Sequence, residues 1–247
     1  MTTKVRRFNY RAAAFVFPLF IFLLAGFVFT PSQGHAASDE VIASELNLDA
    51  FGNLAVRSNP VSAKSAYGKI RAAWAAENSR FRACFENKNE CDAPHEAWIN
   101  QIKLLKGMSV EEQLAGVNAL ANQAVVYRSD NAVHGVGDHW ALPSQSLAVG
   151  GDCEDYAIVK FFSLQALGVN ADAMRIVVLK DILRKQAHAV LTVKHKGKTY
   201  VLDNLSRRVL RARDVPHYKP VYSVSNAQRW IHLSVKKRSK SSLIAQK

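Results

Sequence analysis

The hydrophobic period of this chain changes once, near Gly168. Ahead of that point apolar residues recur at three- and four-residue spacing, and beyond Met174 they alternate or form short β-branched runs. Helices first and antiparallel strands afterwards make an α+β domain, with N-terminal helices packed on an antiparallel sheet. Ser62 to Phe85 carries Tyr67, Ile70, Trp74 and Phe81 at helical spacing, with alanines between them. Pro94 to Lys106 places Trp98, Ile102 and Leu105 on one face and ends at Gly107. Ser109-Val110-Glu111-Glu112 reads as a capping box for a helix turning Leu114, Val117, Leu120, Ala121 and Ala124 inward. The central helix is expected from Cys153 to about Leu167. Strands are expected at Met174–Leu179, His188–Lys194, Thr199–Asn204, Tyr218–Val224 and Trp230–Leu233, while 37–61 reads as extended and irregular and Tyr127–Gly151 as a polar, Gly-rich loop.

Cys153 stands where the Gly-rich segment gives way to that central helix, in Gly151-Asp152-Cys153-Glu154-Asp155-Tyr156. The unsatisfied N–H groups and positive dipole end of a helix favour thiolate there. Asp152, Glu154 and Asp155 push the other way, because adjacent negative charge raises a thiol pKa. A reactive thiol ringed by acids makes sense when a cation neutralises them. The competing reading of the acids is helix capping, with Asp152 as N-cap and the others in the first turn.

The N-terminus reads as a secretory signal: Lys4, Arg6, Arg7 and Arg11 precede an apolar run from Ala12 to Phe29, and small residues Gly34 and Ala36 suit cleavage after Ala36. An uncleaved membrane anchor is the alternative, since the run is 18 residues long. The expected division is therefore a signal at 1–36, one domain at 37–233 and a basic tail at 234–247. Removing the signal takes four basic side chains and no acidic one, so a formal charge of +13 becomes +9. No nucleic-acid motif accompanies that charge, and the basic tail reads as a solvated segment. Of three cysteines, Cys84 and Cys91 flank a polar turn and form the natural disulfide in an oxidising compartment, leaving Cys153 unpaired.

A cysteine nucleophile needs a base and a group to hold that base. Among eight histidines, His188 starts a strand, whereas His95 sits in a helical, exposed-looking stretch. If Lys196-Gly197 is a two-residue hairpin loop, His195 faces Lys198, Thr192 faces Val201 and Val190 faces Asp203. His188 shares the face of Val190, so Asp203 becomes its diagonal neighbour. A slip of one residue would move Asp203 to the other face. His134, Asp138 and His139 in the upstream loop lack a fourth ligand and a recognised zinc spacing.

Gly151-Asp152-Cys153-Glu154-Asp155-Tyr156-Ala157, preceded by Trp140 and Pro143 and followed by His188-Ala189-Val190-Leu191 and Leu202-Asp203-Asn204, resembles the bacterial transglutaminase-like cysteine peptidases, in particular the LapG-type periplasmic adhesin proteases. The similarity spans roughly residues 50–233. It implies a papain-like, transglutaminase-like core with Cys153 as nucleophile, His188 as base and later acid, and Asp203 as orienting residue. It also implies calcium bound by Asp152, Glu154 and Asp155, a large surface adhesin as substrate, and an inner-membrane cyclic-di-GMP receptor as partner. The rival expectations are acyl transfer to an amine by the same triad, and a non-catalytic envelope binding module. For the oxyanion, the Cys153 N–H is the first expected donor, with Trp140 or Gln145 as a second.

Overall fold

The computed structural model describes residues 49–58, 66–87, 91, 93–225 and 228–234; the signal segment and the basic tail lie outside these. Seven strands form one antiparallel sheet: β1 (Leu54–Arg57), β2 (Met174–Asp181), β3 (Gln186–His195), β4 (Lys198–Leu202), β5 (Leu210–Arg211), β6 (Tyr218–Ser225) and β7 (Gln228–Leu233). Their spatial order is β1-β7-β6-β2-β3-β4-β5. The helices are α1 (Ala66–Glu86), α2 (Ala93–Lys103), α3 (Val110–Ala124), α4 (Asp130–His134), α5 (Pro143–Val149) and α6 (Cys153–Ala166).

α6 is the hub of the helical layer. It packs against β3 and β2 on one side and α1, α3 and α5 on the others. Every residue from Asp155 to Leu164 is buried, so this helix is enclosed rather than amphipathic. Phe161 and Phe162 are fully buried, and Trp74 of α1 stacks on Phe162 with ring centroids 5.3 Å apart. Each such side chain contributes about 1.5–3 kcal/mol through burial. The sheet face beneath α6 supplies Ile176, Leu191, Val193, Leu202 and Val224. The opposite face carries a smaller cluster of Val177, Leu179, Val190, Val201 and Tyr218. Central strands buried on both faces explain why β3 reads as a nearly continuous apolar run.

The capping box at Ser109 forms as expected: Ser109 N–H donates to Glu112 Oε2 at 2.9 Å, and Glu112 N–H donates to Ser109 Oγ at 3.3 Å. Cys84 and Cys91 are bonded as a disulfide with Cα atoms 4.6 Å apart. Four departures from the sequence reading stand out. Within the extended segment, Leu54–Arg57 is regular, an edge strand paired with β7. Tyr127–Gly151 contains two short helices, α4 and α5, and Leu210–Arg211 adds a strand. His95 is buried, with its Nε2 3.1 Å from Glu77 Oε1, because it faces α1 rather than solvent.

Candidate active site

Two glycines shape the approach to α6. Gly150 has φ +92°, and a Cβ there would lie 2.4 Å from the Val126 carbonyl oxygen. At Gly151 a Cβ would lie 2.2 Å from Asp155 Oδ2. This crowding lets the segment 126–128 run parallel beside the turn: Gly151 N–H donates to Val126 O and Arg128 N–H to Gly151 O, both at 3.0 Å. On the helix side, Asp155 Oδ2 accepts from Asp152 N–H at 3.1 Å and Asp155 Oδ1 from Ala141 N–H at 2.8 Å. Asp155 therefore ties the helix start to the upstream loop. Burial, with the Asp152 and Asp130 charges, pushes its carboxyl up to about 7 against those two donors.

Cys153 follows as the first residue of α6, half-buried and free of any disulfide. β4 pairs with β3 only as far as Leu191↔Leu202, so Gln186–Val190 has no β4 residue opposite it. At that opening the Ala189 N–H faces the Cys153 sulfur and favours thiolate, so the thiol lies beside the residue following His188. The thiol itself donates to Glu154 Oε2 at 3.1 Å. Burial first, and then the Glu154 and Asp152 carboxylates, hold the thiol far above its ordinary range; the Ala189 N–H opposes them.

The hairpin places His188 and Asp203 together. Lys196 and Gly197 both take positive φ, 48° and 68°, the geometry of a type I′ turn. The register is His195↔Lys198 and Thr192↔Val201, as the spacing predicts. Asp203 lies just past the ladder, and its Oδ1 is 2.9 Å from His188 Nε2. That leaves Nδ1 as the ring nitrogen available to a thiol. Asp203 Oδ1 also accepts from Leu205 N–H at 2.8 Å, and Oδ2 accepts from the Tyr218 hydroxyl at 2.5 Å. Burial opposes ionisation of Asp203, but the His188 hydrogen bond and charge, then Tyr218 and Leu205, hold its carboxyl below the usual range. The loop is anchored from α3, where Asn122 Nδ2 donates to Asp203 O at 2.9 Å and Asn118 Nδ2 to Ser206 O at 2.9 Å. Sequence reasoning missed Tyr218, which it took only as the start of a strand.

The acids converge more widely than expected. Ligand atoms of Asp130, Asp152 and Asp155 lie within 4.8 Å of one another, as do those of Asp130, Asp138 and Glu154 and those of Asp152, Cys153 and Glu154. Asp130 is buried, and its Oδ2 accepts from His139 N–H at 2.5 Å. Asp130 Oδ1 and Asp152 Oδ1 are buried with no hydrogen-bond partner among the described residues. Burial, followed by the Asp152 hydrogen bond and charge, pushes Glu154 up to about 9, and burial raises Asp130. Asp130 was absent from the expected ligand set, and Asp138 was weighed only with the two histidines. Those histidines instead lie against each other, tilted by 34° with centroids 3.9 Å apart. Gln145 Oε1 accepts from Leu142 N–H at 2.9 Å, and Trp140 is buried in the core.

Residues 74–238 match the family model described as bacterial transglutaminase-like cysteine proteinase. Among solved structures the chain is similar to LapG of Legionella pneumophila, at 32% identity and a TM-score of 0.52, covering 67% of this chain and 90% of that one. The EGTA-treated form of that protein matches at 32% identity and a TM-score of 0.53, covering 67% and 91%. Its calcium-bound form matches at 30% identity and a TM-score of 0.53, covering 68% and 98%. A search of curated proteins returned no match. With its transglutaminase-like fold and a free cysteine at the head of the central helix, the chain belongs to the bacterial transglutaminase-like cysteine proteinases and is a cysteine peptidase.

Proposed function

We propose that the chain is an exported, calcium-dependent endopeptidase that uses a Cys153-His188-Asp203 triad to cut a large cell-surface adhesin. One observation carries the triad. The Cys153 sulfur faces the Ala189 N–H, and the neighbouring His188 is fixed through Nε2 by an Asp203 carboxylate with three donors. In this reading His188 Nδ1 removes the thiol proton and the thiolate attacks the scissile carbonyl. Asp203 holds the ring and stabilises the imidazolium. The imidazolium then protonates the leaving amine, and water enters to hydrolyse the thioester. The Cys153 N–H is one of the helix-start donors that lack an intrahelical acceptor, and it is directed to the oxyanion.

The donor set fits calcium: it is all carboxylate oxygen, and two buried oxygens, on Asp130 and Asp152, are unpartnered among the described residues. Asp130, Asp138, Asp152 and Glu154 would hold the ion, with Asp155 bracing them. Bound calcium would neutralise the carboxylates that hold the thiol protonated, which is the chemistry the site needs. The calcium-bound and EGTA-treated forms of the Legionella relative support this assignment. Export rests on the N-terminal basic and apolar run, and a periplasmic location follows from it. A surface adhesin as substrate, and control by an inner-membrane cyclic-di-GMP receptor, rest on the resemblance to LapG-type proteases.

Cells carrying Cys153→Ala should retain a full-length adhesin at the surface and make more biofilm, and the purified variant should leave that adhesin uncut. Wild-type enzyme should lose cleavage in excess EGTA and recover it with calcium. Cleavage by Cys153→Ala would refute the triad, unchanged activity in EGTA the metal, and amine-crosslinked products by mass spectrometry the hydrolysis.

A further inference from the structure

A short backbone edge bridged to the turn before the nucleophile has no strand paired to its outer side among the described residues. Tyr127 and Gly151 form a parallel bridge in which Gly151 uses both its N–H and its C=O on the flanking residues Val126 and Arg128. Strand geometry then turns the N–H and C=O of Tyr127 itself to the opposite side. Neither makes a hydrogen bond among the described residues. The segment is held in place: the Tyr156 hydroxyl of α6 donates to Val125 O at 2.6 Å, and Val125 N–H donates to Ala121 O at 3.1 Å. Yet its side chains are open, with Val126 60% and Tyr127 62% exposed. Val149, on the other side of the glycine turn, is 45% exposed. Tyr127 lies within electrostatic reach of Asp152, Cys153 and Glu154. A β-branched and aromatic edge bridged to Gly151, two residues before the nucleophile, is an exposed template for strand addition.

We propose that the outer edge of 126–128 is the docking rail for the polypeptide substrate, which lies along it as an added strand with one residue's N–H and C=O paired to Tyr127. A peptidase must bring an extended main chain towards Cys153, and this edge offers main-chain groups on the segment bridged to Gly151. Recognition through backbone makes the substrate class an extended, unstructured segment of polypeptide rather than a folded surface. Val126, Tyr127 and Val149 would flank its side chains, favouring apolar or small residues over acidic ones beside the carboxylate cluster. The inference rests on Cys153 being the nucleophile.

The test uses full-length protein with calcium and an acetyl-trialanyl chloromethyl ketone, whose chloride the Cys153 thiolate displaces to leave a thioether, the thiol proton passing to His188. Labelling rates are read by intact mass for the parent reagent and for three versions, each N-methylated at one alanine. Methylation at a single position should slow labelling about tenfold, the expected effect of one lost main-chain hydrogen bond and its steric clash, while the other positions keep the parent rate. Tyr127→Pro, which removes an N–H the fold does not use, should slow the parent reagent similarly and leave iodoacetamide labelling of Cys153 unchanged. Equal rates across the four reagents, or a parent reagent that fails to label a thiol that iodoacetamide modifies, overturn the docking rail and leave the nucleophile standing. Failure of iodoacetamide to modify Cys153 overturns both.

Discussion

Three donors converge on Asp203, and the shortest of those contacts comes from Tyr218 rather than from His188. A carboxylate held this way cannot rotate, so the imidazole it faces keeps one orientation. Tyr218→Phe should lower kcat about five- to tenfold with KM little changed, and cost about 1 kcal/mol of stability by denaturant titration. Asp203→Asn should lower kcat by about a hundredfold or more, since the amide can hold the wrong tautomer. Lys160 sits on the same helix as Cys153, fully buried, with its Nζ lacking a hydrogen-bond partner among the described residues. Burial pushes its ammonium down to about 7, with only the Asp203 charge acting against that. A folded pKa below the unfolded value means that the unfolded chain binds more protons between about pH 7 and 10. Stability from this group therefore rises with pH across that window. Lys160→Met should raise the midpoint of denaturation at pH 7 by about 1–3 kcal/mol, and the gain should shrink by pH 10.

At the scale of elements, the site depends on a turn that has no room for side chains. The Gly150 Cβ would meet a backbone oxygen, which cannot swing aside, and its φ of +92° is already unfavourable for any other residue. Gly150→Ala should therefore destabilise the protein by about 2–4 kcal/mol and loosen the 126–128 segment, detectable as faster amide exchange there. The helix start and the hairpin are separate elements, and β4 ends early enough for the first to reach the second. The turn at Lys196-Gly197 sets the register that carries Asp203 to His188. Lys196→Gly, which suits a left-handed position better, should leave activity intact and stabilise the hairpin by a few tenths of a kcal/mol or more.

Across the whole molecule, the concentration of acid around one thiol makes stability and activity respond together to pH and cation. Asp155 at about 7 and Glu154 at about 9 both lie above their unfolded values near 4. Between about pH 4 and pH 9 the folded state then holds more protons than the unfolded one, so stability falls as pH rises. In EGTA, denaturation midpoints should decline across that window, whereas calcium should flatten the decline by stabilising the ionised carboxylates. A chelated protein with a pH-independent midpoint would show that the cluster is not strained by its own charge. The described residues contain no helix long and apolar enough to cross a membrane, so any anchoring function would rest on residues outside them.

Much of the candidate site was legible in local sequence, because local rules govern its parts. Helix-start position, capping acids and hairpin spacing are properties of a few consecutive residues, and they mark Cys153, His188 and Asp203. Tyr218, Asp130 and Asp138 escaped because they reach the site from loops and strands distant in the chain, where no periodicity announces a contact. His95 was misplaced for the same reason: a helix face turns inward only once another helix covers it. The sequence by itself determined the long helices, the central strands, their order and the register of one hairpin, all set by interactions within a turn or two of chain. Tertiary structure alone decided which carboxylates share one volume and how far the thiol is held from ionisation, since charge and burial act through space and ignore the distance along the backbone.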